Sequence, residues 1–237
     1  MPNAAVYPSA SAPKDAAVTY AILFDIDGTL LNADSAGRLA MEETLRLDFG
    51  VERPSADVPM HGRTDSAIIA DVLAKAGLDV DPAAFQEAYV PRLRAMLSRR
   101  DSRLLPGAAE AVAEADARED LLAGLLTGNL PGAADAKLRP HGLADCFPFG
   151  AFGHEHTERD DVARGAAARL AEQGGPRPEN VWVVGDTTAD IACARAAGFQ
   201  AAAVCTGGGS RDELIASEPD LLLDSLVDRA ALFDRLT

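Results

Sequence analysis

The sequence predicts an α/β protein with a doubly wound parallel sheet and an inserted all-α segment. Four short apolar runs, at residues 21–24, 121–126, 181–184 and 201–204, have no alternation of polar and apolar residues. Such runs are typical of strands that are buried on both faces, as in a parallel sheet. Two further observations, helical spacing between the later runs and a helix-only stretch after the first, complete the prediction.

Helical patterns lie between the later apolar runs. In 160–171 apolar residues recur at Val162, Ala166 and Leu170, and 190–197 and 226–236 show similar patterns. This spacing places the apolar residues on one face of a helix. Strands that alternate with helices predict βαβ units and a doubly wound sheet.

The stretch from about residue 33 to 103 interrupts this alternation. Its patterns predict helices over 39–49, 66–76 and 83–100, and Pro106-Gly107 begins another helix before the sheet resumes. We therefore expect a flexible tail over 1–17, a sheet domain made of 18–32 and 106–237, and a separate helical domain over 33–105.

Composition excludes several classes of protein. The 237 residues carry a formal net charge of −15, which disfavours nucleic acid and anionic membrane as partners. No run of 18 apolar residues could cross a bilayer, and 1–17 lack the features of a secretory signal. Three cysteines without a CxxC pattern argue against a disulfide scaffold or a zinc site, so we expect a cytoplasmic protein.

Polar residues follow three of the predicted strands. The first run ends in DIDGT at 25–29, the second in TGN at 127–129, and the third in GDTTAD at 185–190. Ligands of an open parallel sheet bind outside the carboxyl ends of its strands. The three segments should therefore meet at one edge of the sheet.

Four carboxylates at that edge, those of Asp25, Asp27, Asp186 and Asp190, would repel one another. A hard divalent cation relieves this repulsion, and oxygen ligands favour Mg²⁺. A carboxylate facing a phosphoryl group can act as a nucleophile, and a second carboxylate can protonate the leaving oxygen. The hydroxyl of Thr127 and the amides beside it could hold phosphate oxygens.

At these residues the sequence resembles the haloacid dehalogenase-like (HAD) superfamily of phosphohydrolases. The matching patterns are DxDGT with an apolar residue at 25–30, a strand ending in Thr127, and GDxxxD at 185–190. The segment HGRTD at 61–65 is similar to the Gly-Arg-Thr segment of the helical caps in one branch. The resemblance implies a HAD-like Rossmannoid core with an all-α cap, in the branch of phosphoglycolate phosphatases and β-phosphoglucomutases.

The resemblance also implies roles for the four acidic residues. Asp25 would be the nucleophile and a metal ligand, and Asp27 the general acid/base whose backbone carbonyl also binds the metal. Asp186 would bind Mg²⁺, and Asp190 would support the metal directly or through water.

Phosphate and substrate contacts are implied on the neighbouring segments. Thr127 would hold the transferring phosphoryl group with the help of Gly128 and Asn129. Arg63, in the cap segment, is a candidate for binding a phosphate or carboxylate of the substrate.

The third motif of the family departs from its usual form. A lysine normally precedes the helix that leads to the GDxxxD strand, whereas no lysine occurs here after Lys137. Because Lys137 lies ten residues past Thr127, well along a predicted helix, it is interpreted as a poor substitute. Arg159 is the candidate cation, with a planar guanidinium in place of a compact ammonium.

Glycines at 207–209 admit two interpretations. Glycines of this kind can cradle phosphate, but Ser210 and Glu213 form a capping-box pattern for the next helix. The sequence therefore favours a flexible turn that enters this helix.

The leading functional prediction is a Mg²⁺-dependent phosphatase that hydrolyses a small phosphorylated metabolite, as a monomer or homodimer. A phosphomutase of the β-phosphoglucomutase type remains an alternative, as does a non-catalytic phosphate-binding protein with an altered third motif. A dehalogenase is disfavoured by Asp27, because a departing halide needs no proton. A phosphonatase needs a cap lysine for a Schiff base, and the cap offers only Lys75.

Overall fold

A computed structural model describes residues 18–51 and 58–236 of the chain. Its main feature is a six-stranded parallel sheet in the order β5-β4-β1-β6-β7-β8. The strands are β1 (Tyr20–Phe24), β4 (Leu121–Thr127), β5 (Phe149–Phe152), β6 (Val181–Gly185), β7 (Gln200–Val204) and β8 (Leu221–Leu223). The central strand β1 pairs with β4 on one side and β6 on the other, so the ends of these three strands lie side by side.

Helices cover both faces of the sheet. They are α4 (Ala108–Ala117), α5 (Pro131–Leu138), α6 (Arg159–Glu172), α7 (Thr188–Ala196), α8 (Arg211–Ala216) and α9 (Ala230–Phe233). In β1, Ile22 and Phe24 pack into the apolar core that contains α4 and α5, whereas Leu23 packs into the core of α6 and α7. This alternation buries every side chain of the strand centre and confirms the predicted doubly wound α/β fold.

The chain leaves the sheet after β1 and returns before α4. Two short antiparallel strands, β2 (Leu31–Asn32) and β3 (Arg103–Leu104), pair where it leaves and returns. Between them lie three helices, α1 (Ala36–Asp48), α2 (Asp65–Lys75) and α3 (Pro82–Leu97). Thr64 and Asp81 accept hydrogen bonds at the N-termini of α2 and α3, respectively, which satisfies backbone donors that the helix cannot. We call this helical insertion the cap below.

Most predicted elements lie close to their observed positions, and the cap helices begin and end within three residues of the sequence prediction. The prediction of a single helix over 226–236 is wrong. Ser225 accepts a hydrogen bond from the amide of Val227, and a 3₁₀ turn at Leu226–Asp228 precedes the four-residue α9. Strands β5 and β8 were not predicted. The tail over 1–17 lies outside the described residues, among which no helix is long and apolar enough to span a membrane.

Gly107 ends the connection between the cap and α4 in a conformation that other residues rarely adopt. Its φ is 80°, and a Cβ atom there would lie 2.1 Å from the backbone carbon of Leu226. Gly77 has a φ of 66° but open space around it. Substitution at Gly77 would therefore cause backbone strain alone, whereas substitution at Gly107 would add steric overlap.

We expect Gly107→Ala to lower the free energy of unfolding by about 3 kcal/mol or more, because it adds overlap with the backbone to strain. Gly77→Ala, the matched control, should cost about 1–2 kcal/mol from strain alone. Urea denaturation of both variants measures the difference. Equal destabilisation by the two substitutions would show that Leu226 moves aside freely.

Candidate active site

Three carboxylates meet at the carboxyl end of the sheet. Asp25 follows β1, Asp186 follows β6, and Asp190 lies in the first turn of α7. One oxygen from each lies within 4.8 Å of the others, and all three residues are buried. The fourth acidic residue of the sequence prediction, Asp27, lies outside this cluster, because its carboxylate has partners elsewhere.

Burial and mutual repulsion perturb two of these groups. Burial raises the pKa of Asp25 to about 6, where Arg159 opposes the shift and Asp190 and Asp27 add to it. Burial raises the pKa of Asp186 to about 8, with contributions from Asp190 and Asp25. Both shifts mean that the ionised carboxylates lack enough positive charge among the described residues.

An oxygen of Asp25 shows the same deficit in its geometry. Its Oδ1 is buried and accepts no hydrogen bond from the described residues, although Nη2 of Arg159 lies 3.1 Å away. A buried oxygen without a donor is costly unless another ligand completes it. A hard divalent cation bound by Asp25, Asp186 and Asp190 fits this orphaned oxygen and the all-oxygen donor set.

Asp190 has two structural partners besides its place in the cluster. Its Oδ2 accepts hydrogen bonds from the amide of Thr187 at 2.9 Å and from the hydroxyl at 2.7 Å, and its Oδ1 from Arg159. The residue therefore caps α7 and borders the carboxylate cluster at the same time. A helix cap and a place in the site are compatible at this position.

Arg159 is the cation of the cluster. It begins α6, is 8% exposed, and its guanidinium forms ion pairs with Asp25 and Asp190. Burial acts to lower its pKa, but the two carboxylates raise the pKa well above its usual value. The structure thus places a permanent positive charge beside Asp25.

Asp27 lies beside Lys137, a residue that the sequence analysis set aside. The Nζ of Lys137 lies 2.5 Å from Oδ2 of Asp27 and 2.6 Å from Oδ1 of Asn129, and Asn129 donates to the same oxygen of Asp27 at 2.9 Å. From the sequence, Lys137 was considered only as a substitute for the lysine of the third motif, a place that Arg159 holds beside Asp25, and its contact with Asp27 was not predicted. Helical side chains lean toward the N-terminus of the helix, so Lys137 reaches back to the strand end.

The pKa of Asp27 lies below its usual value. Burial acts to raise it, but Lys137 and Asn129 outweigh that effect. Because the side chain keeps 43% of its surface exposed toward the cavity, burial opposes the effect of the Lys137 ammonium only weakly. The lysine, in turn, is only 5% exposed.

Thr127 connects Asp25 with Asn129, the residue that contacts Asp27 and Lys137. Its side chain hydrogen-bonds to Asp25, which acts to lower the pKa of that carboxyl group, and it accepts a hydrogen bond from Nδ2 of Asn129 at 2.9 Å. The amide of Asn129 also lies 3.3 Å from its oxygen. Residues 127–129 therefore link Asp25 to Asp27 and Lys137.

Three glycines lie close to the carboxylate of Asp186. The amide of Gly208 donates to Oδ2 of Asp186 at 2.6 Å, and a Cβ at Gly207 would lie 1.9 Å from the same oxygen. Gly28, with a φ of 84° in the turn after β1, also faces this oxygen, because a Cβ there would lie 2.3 Å from it. The capping box of Ser210 and Glu213 is confirmed, but the glycines before it do more than enter a helix.

Backbone and side-chain groups at the start of α2 dock the cap on the sheet domain. The amide of Asp65 donates to the carbonyl of Gly128 at 2.7 Å, and the hydroxyl of Thr64 donates to the carbonyl of Thr157 at 2.7 Å. A side chain at Gly128 would collide with the backbone of Arg63. Arg63 itself is held by Asp71 at 2.8 Å and by the carbonyl of Pro59 at 3.1 Å.

A cavity of about 440 Å³ lies between the cap and the carboxylate cluster. Asp25, Asp27, Lys137 and Arg159 border it from the sheet domain. The cap lines the cavity with both apolar and polar side chains, which include Arg38, Met41, Met60, His61, Arg63, Ile68 and Tyr89. Such a space is large enough for a small organic ligand.

This geometry defines a site of acidic residues at the strand ends of a parallel α/β sheet, covered by a helical insertion. A family model of the haloacid dehalogenase-like hydrolases matches residues 20–198, and the chain belongs to that family. The family and the phosphoglycolate phosphatase-like branch that the motifs predicted are confirmed, and with them the enzyme class, a HAD-like phosphohydrolase.

Individual relatives agree with this placement. The chain is 29% identical over 214 residues to a phosphoglycolate phosphatase from Synechococcus elongatus, covering 88% of this chain and 94% of the relative. A variant of CbbY from Rhodobacter sphaeroides, solved with xylulose-1,5-bisphosphate, is 26% identical with a TM-score of 0.73, covering 89% and 96%. A predicted phosphoglycolate phosphatase from Haemophilus somnus is 20% identical with a TM-score of 0.68, covering 91% and 98%, and shares the fold.

The metal-free protein should lose stability as pH rises from about 4 to about 8. Asp25 and Asp186 have raised pKa values in the folded state, so the folded protein binds more protons than the unfolded chain in this range. Saturating Mg²⁺ should reverse the loss, by about 2.7 kcal/mol at a hundredfold excess over its Kd. Thermal melting in a chelator and in Mg²⁺ measures both effects.

Asp186→Asn should remove most of the Mg²⁺ stabilisation and weaken the pH dependence between about pH 6 and 8, where Asp186 contributes most. Asp212→Asn, at an exposed position of α8, is the matched control and should keep both. An equal Mg²⁺ effect in the two variants would place the cation outside the cluster.

Proposed function

We propose that the protein is a Mg²⁺-dependent phosphatase that hydrolyses a small phosphate monoester through an aspartyl-phosphate on Asp25. The observation that carries this proposal is the buried Oδ1 of Asp25, which accepts no hydrogen bond from the described residues and belongs to a carboxylate that faces the cavity beside Arg159. Family membership and the phosphatase relatives support it.

Asp25 would attack phosphorus in line with the ester oxygen. The new bond joins a carboxylate oxygen to phosphorus while the bond from phosphorus to the leaving oxygen breaks. Asp27, two residues on and open to the cavity, would protonate that oxygen and then take a proton from the water that hydrolyses the intermediate.

Asp25, Asp186 and Asp190, with the backbone carbonyl of Asp27, would hold the Mg²⁺. Bound there, the cation supplies positive charge that neutralises the phosphoryl oxygens and the carboxylate cluster. Asp190 would contribute directly or through water, since both its oxygens already have protein partners.

The phosphoryl group would lie between Thr127 and Arg159. The Thr127 hydroxyl and the backbone amides at Gly128 and Asn129 are the donors nearest the strand end, and Arg159 supplies charge. Arg63 would add positive potential from the cap wall, where Asp71 and Pro59 fix its guanidinium.

The substrate would be a small phosphorylated metabolite, and 2-phosphoglycolate, from the name of the relatives, is the first ester to test. The three cysteines form no disulfide, which supports a location in the reducing cytoplasm.

Asp25→Asn should lower kcat by at least about a thousandfold, because the isosteric amide cannot attack phosphorus. The assay is Mg²⁺-dependent release of phosphate from a panel of esters that includes 2-phosphoglycolate. Asp212→Asn should retain full activity. Undiminished turnover by Asp25→Asn would remove the nucleophile from the proposal, and isomerisation of a hexose 1-phosphate without free phosphate would favour the mutase.

Arg159→Met should lower kcat by about a hundredfold or more, since it removes the charge beside Asp25 from a buried site. Arg159→Lys should retain part of the activity, because an ammonium preserves the charge but not the planar fork. Arg164→Met, exposed on the same helix α6, is the matched control. Activity of Arg159→Met equal to that of the unaltered protein would mean that charge at this position is not required.

A further inference from the structure

Lys137 is a buried lysine of the sheet domain whose role the proposed mechanism has not yet used. It is a lysine in α5 with only 5% of its surface exposed, in a chain that contains three lysines and nineteen arginines. An ion pair at a buried position gives little net stability, because both charges must be desolvated. An apolar residue would serve the packing of α5 as well, so the ammonium requires another explanation.

The contacts of Lys137 converge on one oxygen of Asp27. Its Nζ donates to Oδ2 at 2.5 Å, and Nδ2 of Asn129 donates to the same oxygen at 2.9 Å. Lys137 also donates to Oδ1 of Asn129 at 2.6 Å, so the three side chains fix one another. Among the described residues none is seen to donate to Oδ1 of Asp27, and the carboxyl group borders the cavity.

The cap contributes to the same arrangement. Asp65, at the start of α2, attracts Lys137 electrostatically, and its Oδ2 accepts a hydrogen bond at 2.8 Å from the amide of Leu130, just before α5. This bond ties the beginning of α5 to the cap. Groups of the sheet domain (Asp27 and Asn129) and of the cap (Asp65) therefore fix the position of the lysine together.

We propose that Lys137 is a positioning residue for Asp27, which it holds by Oδ2 so that Oδ1 faces the leaving oxygen of the phosphate ester. This inference rests on the phosphatase function proposed above.

In the step it serves, the bond from phosphorus to the leaving oxygen breaks as the bond to Asp25 forms. Before this step Oδ1 of Asp27 takes up a proton from solvent, and in the step that proton moves to the leaving oxygen. Lys137 keeps its own protons and stabilises the negative charge that appears on Asp27 as its proton departs.

Comparison of two leaving groups distinguishes a role of Lys137 in proton transfer from a purely structural role. An alkyl ester leaves as a strongly basic oxygen and needs the proton, whereas p-nitrophenol is acidic enough to leave without one. Defective proton transfer should therefore affect kcat/KM for an alkyl phosphate selectively, whereas partial unfolding lowers kcat/KM for both esters by the same factor.

The experiment compares kcat/KM for the best alkyl ester of the panel and for p-nitrophenyl phosphate, in saturating Mg²⁺. Lys137→Met should lower the alkyl value by about a hundredfold and the aryl value by only a few fold. Asp27→Asn should show the same selectivity. Lys137→Arg, which restores a positive donor, should recover part of the alkyl activity, and Lys75→Met, exposed on α2, should leave both values unchanged.

Equal losses on the two esters, or no loss on either, overturn the role assigned to Lys137 and leave the phosphatase function in place. If the unaltered protein hydrolyses neither ester, the proposed function fails and this inference fails with it. Lys137→Gln provides a second neutral variant. The values of kcat/KM are compared for the neutral variant whose melting temperature equals that of the unaltered protein.

Discussion

Repulsion among carboxylates at the end of the parallel sheet is the constraint on which the rest of the site depends. Hydrogen bonding between β1 and β6 brings Asp25 and Asp186 together, and the capping role of Asp190 brings a third charge to the same point. Arg159 compensates only part of this charge, as the raised pKa values of Asp25 and Asp186 show. Uncompensated negative charge at this edge of the sheet therefore favours the binding of a cation.

The two buried cations of the site have different tasks because they lie on different sides of β1. Arg159 pairs with Asp25 and Asp190, whereas Lys137 pairs with Asp27. Two carboxylates only two residues apart in sequence therefore have opposite pKa shifts, Asp25 upward and Asp27 downward. Separate environments of this kind allow neighbouring acids to take separate roles.

The sequence predicted the parts of the site that depend on short-range order along the chain. Strand ends with their acidic residues were found because a buried strand and the turn after it are local features. Lys137 was missed because its position depends on how α5 packs against β1 and the cap, which no spacing along the chain reveals. The edge strands β5 and β8 are short, and pairing with their neighbours defines them more than composition does.

The contact between the cap and the sheet domain at Gly128 is made by backbone atoms on both sides. A contact that depends on main-chain atoms does not change when cap side chains are exchanged. The side chains that line the cavity can therefore diverge while this contact at Gly128 is retained. Within one fold, this separation lets selection alter which ligand fits the cavity without rebuilding the carboxylate cluster beneath it.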